Sequence, residues 1–167
     1  MRVIPLMLLV AAIAACGENE RQAPAGEPAA TEIAAAASAD ACSILNKQAA
    51  EKALGRPVDK LDNDGGAAAL EICQYGYQGE KLMDMGNVSL TYHPNDLATM
   101  RQGLVAEKAT IEEVPGLGDG AIYTPEFGLY VGKGGRTAIY LLAAGGMDQA
   151  EAKKRTIALA HGTVGRL

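Results

Sequence analysis

From Asn87 to His93 apolar and polar residues alternate, with Val88, Leu90 and Tyr92 on one side and Asn87, Ser89, Thr91 and His93 on the other. Period-two patterning of this kind marks a strand with one buried and one wetted face, and it favours an antiparallel sheet. Cys73, Tyr75 and Tyr77 repeat the pattern in a preceding strand, and Ala121-Ile122-Tyr123 predicts another. Phe127–Val131 and Thr137–Ala143 form a pair joined through Gly132-Lys133-Gly134-Gly135-Arg136, whose glycines predict a hairpin. All 6 tyrosines fall in these predicted strands.

Helical spacing appears in three places. Asn46 can cap a helix that Gly55 terminates and Pro57 keeps from continuing, with Leu45 placed to staple onto Ala50. A second helix is predicted from Asn95 to Ala106, with Leu97, Met100 and Leu104 on one side. Asp148 and Glu151 make a D-x-x-E capping box for a last helix that runs to His161 and stops at Gly162. Asn63-Asp64-Gly65-Gly66 marks a turn. The predicted order is α-β-β-α-β-β-β-α. This is an α+β fold, with a small antiparallel sheet of about five strands and helices packed mainly on one face. A three-layer sandwich with the sheet between helices is the alternative.

The start of the chain follows neither period. Arg2 is followed by an uncharged run, Val3 to Ala15, and then Cys16. The run falls short of the roughly 20 apolar residues a spanning helix needs, and Pro5 interrupts it, so it predicts a secretory signal and not a membrane span. Ile13-Ala14-Ala15-Cys16 resembles the lipobox of bacterial lipoproteins. That resemblance implies cleavage before Cys16, a diacylglycerol thioether on its sulfur and a further acyl chain such as palmitate on its new amine. Two or more chains hold a protein stably at a bilayer. Gly17, in place of an aspartate, is similar to the pattern of lipoproteins sent to the outer membrane, facing the periplasm, in cells with two membranes.

Residues 17–40 carry Glu18, Glu20, Glu27 and Glu32, two prolines and many alanines, with Ile33 the one sizeable apolar side chain. Such a segment cannot offset the entropy of ordering by burial and is expected to act as a flexible tether, about 27 Å from end to end. The expected organisation is a signal peptide over 1–15, a lipid-anchored tether over 16–40 and one globular α+β domain over 41–167.

Charge narrows the partners. Loss of residues 1–15 removes Arg2 and leaves 14 basic against 20 acidic side chains, a balance of -6. An acidic chain is repelled by phosphate backbones and anionic head groups, which argues against nucleic acid and leaves the lipid as the expected membrane contact. With Cys16 lipidated, Cys42 and Cys73 are the remaining thiols in an oxidising compartment and can make one disulfide and no more. Their separation of 31 positions excludes a CxxC redox or zinc pairing.

Cys42-Ser43-Ile44-Leu45, the helix end Ala53-Leu54-Gly55, Cys73-Gln74-Tyr75 opening a strand, and Val114-Pro115-Gly116-Leu117-Gly118-Asp119-Gly120-Ala121 together resemble a group of small bacterial lipoproteins, the domain-of-unknown-function family numbered 3558. The resemblance implies a Cys42–Cys73 bridge in a small α+β domain and brings no activity with it.

Candidate chemistry is sparse. Gly116-x-Gly118-x-Gly120 has the look of a phosphate cradle, but it precedes a strand and carries Asp119, so a turn is expected. His93 with Met83 and Met85 offers an imidazole and two thioethers, a donor set that suits copper. Ser89 and Thr91 share a strand face with His93, but no acid is spaced to orient the imidazole as hydrolysis requires. Lys153-Lys154-Arg155 reads as the solvated face of the last helix or as a docking patch for an acidic partner. The expectation is a lipid-anchored envelope protein without enzymatic activity and without a cofactor, contacting another envelope protein or a small ligand. An envelope copper-handling protein or small enzyme is the alternative.

Overall fold

In the computed structural model the described residues are 40–61, 71–81 and 83–167, all within the unit Ala37–Leu167. The expectations for the signal, Cys16, the tether and the turn at 63–66 lie outside them.

Side chains that satisfy free backbone groups set the helix boundaries. Asp40 accepts from the Cys42 amide to start a single turn, α1 (Ala41–Ile44). Asn46 Oδ1 accepts from the Ala49 amide at 2.9 Å at the head of α2 (Lys47–Leu54), and Gly55, at φ 77°, closes it by donating to the Glu51 carbonyl. Leu45 and Ala50, the two ends of the expected staple, are both fully buried in the same core cluster. The next helix, α3 (Leu97–Ala106), is capped by Asp96. The last, α4 (Gln149–Thr163), is capped by Asp148, which accepts from the Glu151 amide.

The strands are β1 (Asp59–Lys60), β2 (Glu71–Gln78), β3 (Met85–His93), β4 (Glu112–Glu113), β5 (Gly120–Thr124), β6 (Gly128–Lys133) and β7 (Arg136–Ala144). They form one sheet in the order β1-β2-β3-β7-β6-β5-β4, with every neighbouring pair antiparallel. After β3 the chain passes through α3 to the far edge, and a four-strand meander brings β7 back beside β3. Cys73 stands opposite Leu90 and Tyr75 opposite Val88, so the alternation read in both strands faces one core.

The expected count of about five strands is corrected to seven among the described residues. The extra two, β1 and β4, are two-residue edge strands bearing Asp59, Lys60, Glu112 and Glu113. Two residues hold no period to read, and pairing with β2 and β5 alone makes them strands. Short charged edges also discourage pairing with another chain.

The helices lie mainly on one face of the sheet. The segments α1, α2 and α4 contribute to the large core built on Leu90, Val88, Tyr140 and Leu129. On the opposite face Leu104 of α3 packs with Ile122 and Tyr130, and Leu97, Met100 and Ile139 complete that cluster. Three helices therefore cover one face and the fourth covers part of the other. The cause lies in β6, where Leu129, Tyr130 and Val131 are successive buried residues. A strand apolar on both sides needs cover on both sides.

The helix α4 does not stop at Gly162 but continues to Thr163 and then a 3-10 turn over Val164–Arg166. Tertiary contacts carry it past the glycine: Thr163 Oγ1 and the Tyr140 hydroxyl share a buried hydrogen bond of 2.8 Å. Lys133 Nζ also donates to the Val164 carbonyl and Arg166 to the Ile44 carbonyl.

Burial pushes the Tyr140 phenol up to about 12. Because the folded phenol keeps its proton where the unfolded one, near 10, loses it, this contribution to stability is whole below pH 10 and is lost as pH rises toward 12. Thermal melting followed from pH 9 to 12 is expected to show a falling midpoint over that window, and Tyr140→Phe should flatten the decline. An equal decline in the variant would assign the alkaline sensitivity elsewhere.

Candidate functional site

Cys42 and Cys73 form a disulfide with a Cα–Cα separation of 5.0 Å, tying α1 to β2. Its surroundings are apolar, since Cys73 is fully buried in the main core.

His93, Met83 and Met85 are not brought together. Met85 and His93 are the first and last residues of β3, and eight residue steps along an extended strand put them about 26 Å apart. His93 Nδ1 accepts from the Asn95 amide at 3.1 Å, closing the bend into α3. Among the described residues no group of three or more His, Cys, Asp or Glu side chains could hold a metal ion. Ser89, Thr91 and His93 share a face of β3, and their register neighbours are Gln74 and Leu141, Ile72 and Ile139, and Thr137. None of these is an acid that could orient the histidine.

The loop at Gly116–Gly120 is a turn built on left-handed glycines, with φ 80° at Gly116 and 55° at Gly118. Asp119 accepts from the Gly134 amide at 2.8 Å, so its carboxylate binds the neighbouring hairpin.

The basic run in α4 splits in three directions. Lys153 pairs with Glu112 and lies 5.2 Å from the Tyr123 ring centroid, securing α4 to the β4–β5 edge. Arg155 Nε donates to Glu151 at 2.7 Å, and its Nη1 to the Ala53 carbonyl at 3.2 Å. Only Lys154 stands out in solvent, with 80 % of its side chain exposed. The Arg155 hydrogen bond holds the Glu151 carboxyl below the usual carboxylate range. Glu151 therefore serves α4 as a partner for Arg155, while Asp148 alone caps the helix.

A wide concavity lies where β2, β3 and β7 run out. It is an open groove of 920 Å³ whose apolar lining includes Leu61, Tyr77, Met83, Met85 and Ala144. Bare strand positions shape it. A Cβ on Gly76 would stand 2.9 Å from Leu61 Cδ1, and one on Gly86 would stand 2.7 Å from Tyr77 Cε1, so each glycine receives a neighbouring side chain. The guanidinium of Arg56 lies 4.0 Å from the Tyr77 ring centroid and donates to Asp84 Oδ1 at 2.6 Å, forming a strut beside the groove. Asp84 raises the Arg56 pKa through that hydrogen bond.

Met83 is 75% exposed, Met85 46% and Leu61 37%, which puts three large apolar side chains in water around one concavity. Lone exposed apolar residues are ordinary, whereas a cluster around a groove makes it the candidate contact surface. Two thioethers suit it to partners of varied shape, because methionine is unbranched and polarisable. Met83-Asp84-Met85 marks this rim in the sequence, and its thioethers lie at the opposite end of β3 from His93. No family model matches the chain, nor does any curated protein or solved structure.

Proposed function

We propose that this chain is a lipid-anchored binding module of the cell envelope, without enzymatic activity. Its lipids sit on Cys16 and its sheet-end groove contacts another envelope component or a small ligand. The carrying observation is the exposure of Met83, Met85 and Leu61 around one concavity. Support for the anchor comes from Ile13-Ala14-Ala15-Cys16 after an uncharged run. The acidic balance of the chain makes attraction to anionic head groups a poor substitute for that anchor. In cells with two membranes, Gly17 supports the outer membrane as its site.

Two measurements test the reading. Mass spectrometry of the chain recovered from membranes should find Cys16 as first residue carrying diacylglycerol and acyl mass, and Cys16→Ser should move the protein to the soluble fraction. A first residue without lipid would end the anchor reading. Photocrosslinking in intact cells from a reactive side chain placed at Met83 should give a discrete adduct, while the same group at Lys154, exposed on α4, should give none. Equal labelling from both positions would remove the groove as the contact surface.

A further inference from the structure

A second concavity, of 410 Å³, lies between α2 and α4. Its volume is in the range of small-molecule pockets. Lys52, Arg155 and Arg166 are its charged lining residues, and Ala49, Leu159 and Gly162 contribute to its apolar surface. Three cations and no acid line it in a chain whose formal charge is -5.

The cations are held ready. Arg166 Nη2 donates to the Ile44 carbonyl at 2.7 Å, and Arg155 Nη1 to the Ala53 carbonyl at 3.2 Å. Neutral carbonyls fix these guanidinium groups without cancelling their charge, and a planar guanidinium has further N–H groups to offer. Glu151 faces Arg155 from the neighbouring turn of α4 and offsets that one cation. Among the described residues neither Lys52 nor Arg166 forms an ion pair.

Gly162 adds an independent observation. It lies inside α4 without a positive φ, and a Cβ built on it would meet no atom within 4 Å. Glycine is ordinary near a helix C-terminus, and the missing side chain leaves this part of the cleft wall bare.

We propose that the α2–α4 cleft binds an anionic amphiphile, with the head group on Lys52, Arg155 and Arg166 and the alkyl tail over Leu159 and Gly162. This site is separate from the sheet-end groove, and either can stand if the other fails.

The test is calorimetry on the full chain in neutral phosphatidylcholine nanodiscs, with empty nanodiscs as blank and decanoate as probe. Acetate supplies the head group alone, and decyltrimethylammonium supplies the tail with the opposite charge. Decanoate is expected to bind at least tenfold more tightly than either. Lys52→Gln should weaken it by about fivefold, the scale of one exposed charge pair. Gly162→Leu should weaken it at least tenfold while the melting temperature stays level or rises, since leucine favours the helix. Acetate or decyltrimethylammonium binding as tightly as decanoate would overturn the proposal, as would undiminished binding in a folded Gly162→Leu variant. Adding phosphatidylglycerol to the nanodiscs separates two sources of the same chemistry. Competition with decanoate would assign the ligand to bilayer lipid, and unchanged affinity would assign it to free fatty acid.

Discussion

Cys73→Ser is expected to lower stability by about 3–4 kcal/mol, the chain-entropy value for opening a loop of this length, with the two cysteines 31 positions apart. A domain of this size has only about 5–15 kcal/mol in total, so the melting temperature should fall sharply. The loss is large because the bridge ties α1 to β2 and so joins the helical layer to the sheet at its core. Cys42→Ser opens the same loop and should fall by a similar amount, with Cys73→Ser and the double variant somewhat lower because they also place a hydroxyl in the apolar core. Reduced wild-type protein should show the loop-opening loss alone, and membrane localisation should survive in all of them. An unchanged melting curve in Cys73→Ser would show that the core alone holds the first helix to the sheet.

The second large effect is Gly118→Ala, expected to cost about 3 kcal/mol by combining left-handed strain with a steric clash. Gly118 has φ 55°, and a Cβ there would stand 2.3 Å from the Gly132 carbonyl oxygen. That carbonyl cannot readily give way, since it accepts from the Asp119 amide at 2.8 Å. Gly116 supplies the control: its φ is 80°, but a Cβ would meet no atom within 4 Å. Gly116→Ala should therefore cost only the left-handed conformation, about 1–2 kcal/mol. Equal losses in denaturant unfolding of the two variants would show that backbone strain alone accounts for both glycines.

How much of this fold is legible in the sequence depends on how far along the chain each cause lies. Asn46, Gly55 and Asp148 act on backbone groups within four residues, and the helix boundaries they mark are where local chemistry places them. Val88, Leu90 and Tyr92 likewise announce β3, because alternation acts one residue at a time. Gly162 carries the same local message, stop the helix, and here it fails. The Tyr140–Thr163 hydrogen bond spans 23 positions, and with the Lys133 and Arg166 contacts it adds the final turn.

The candidate site was legible only as ingredients. Met83 and Met85 stand out as thioethers, and Lys52, Arg155 and Arg166 as scattered cations, but nothing in their spacing tells which of them meet. Arg155 reaches Ala53 across 102 positions and Arg166 reaches Ile44 across 122. Met85 and His93, close in sequence, are held apart by the rigid strand between them.

Local pattern was enough for the α+β class, the main helices and strands and the hairpin at Gly134-Gly135, because backbone hydrogen bonding and side-chain period act over a few residues. Strand order, the charged edges β1 and β4, the passage of α3 onto the second face and both concavities came from pairing between distant segments. Each of those depends on which apolar faces are left to be covered once the sheet has formed, and that is a property of the assembled layers, not of any one stretch of chain.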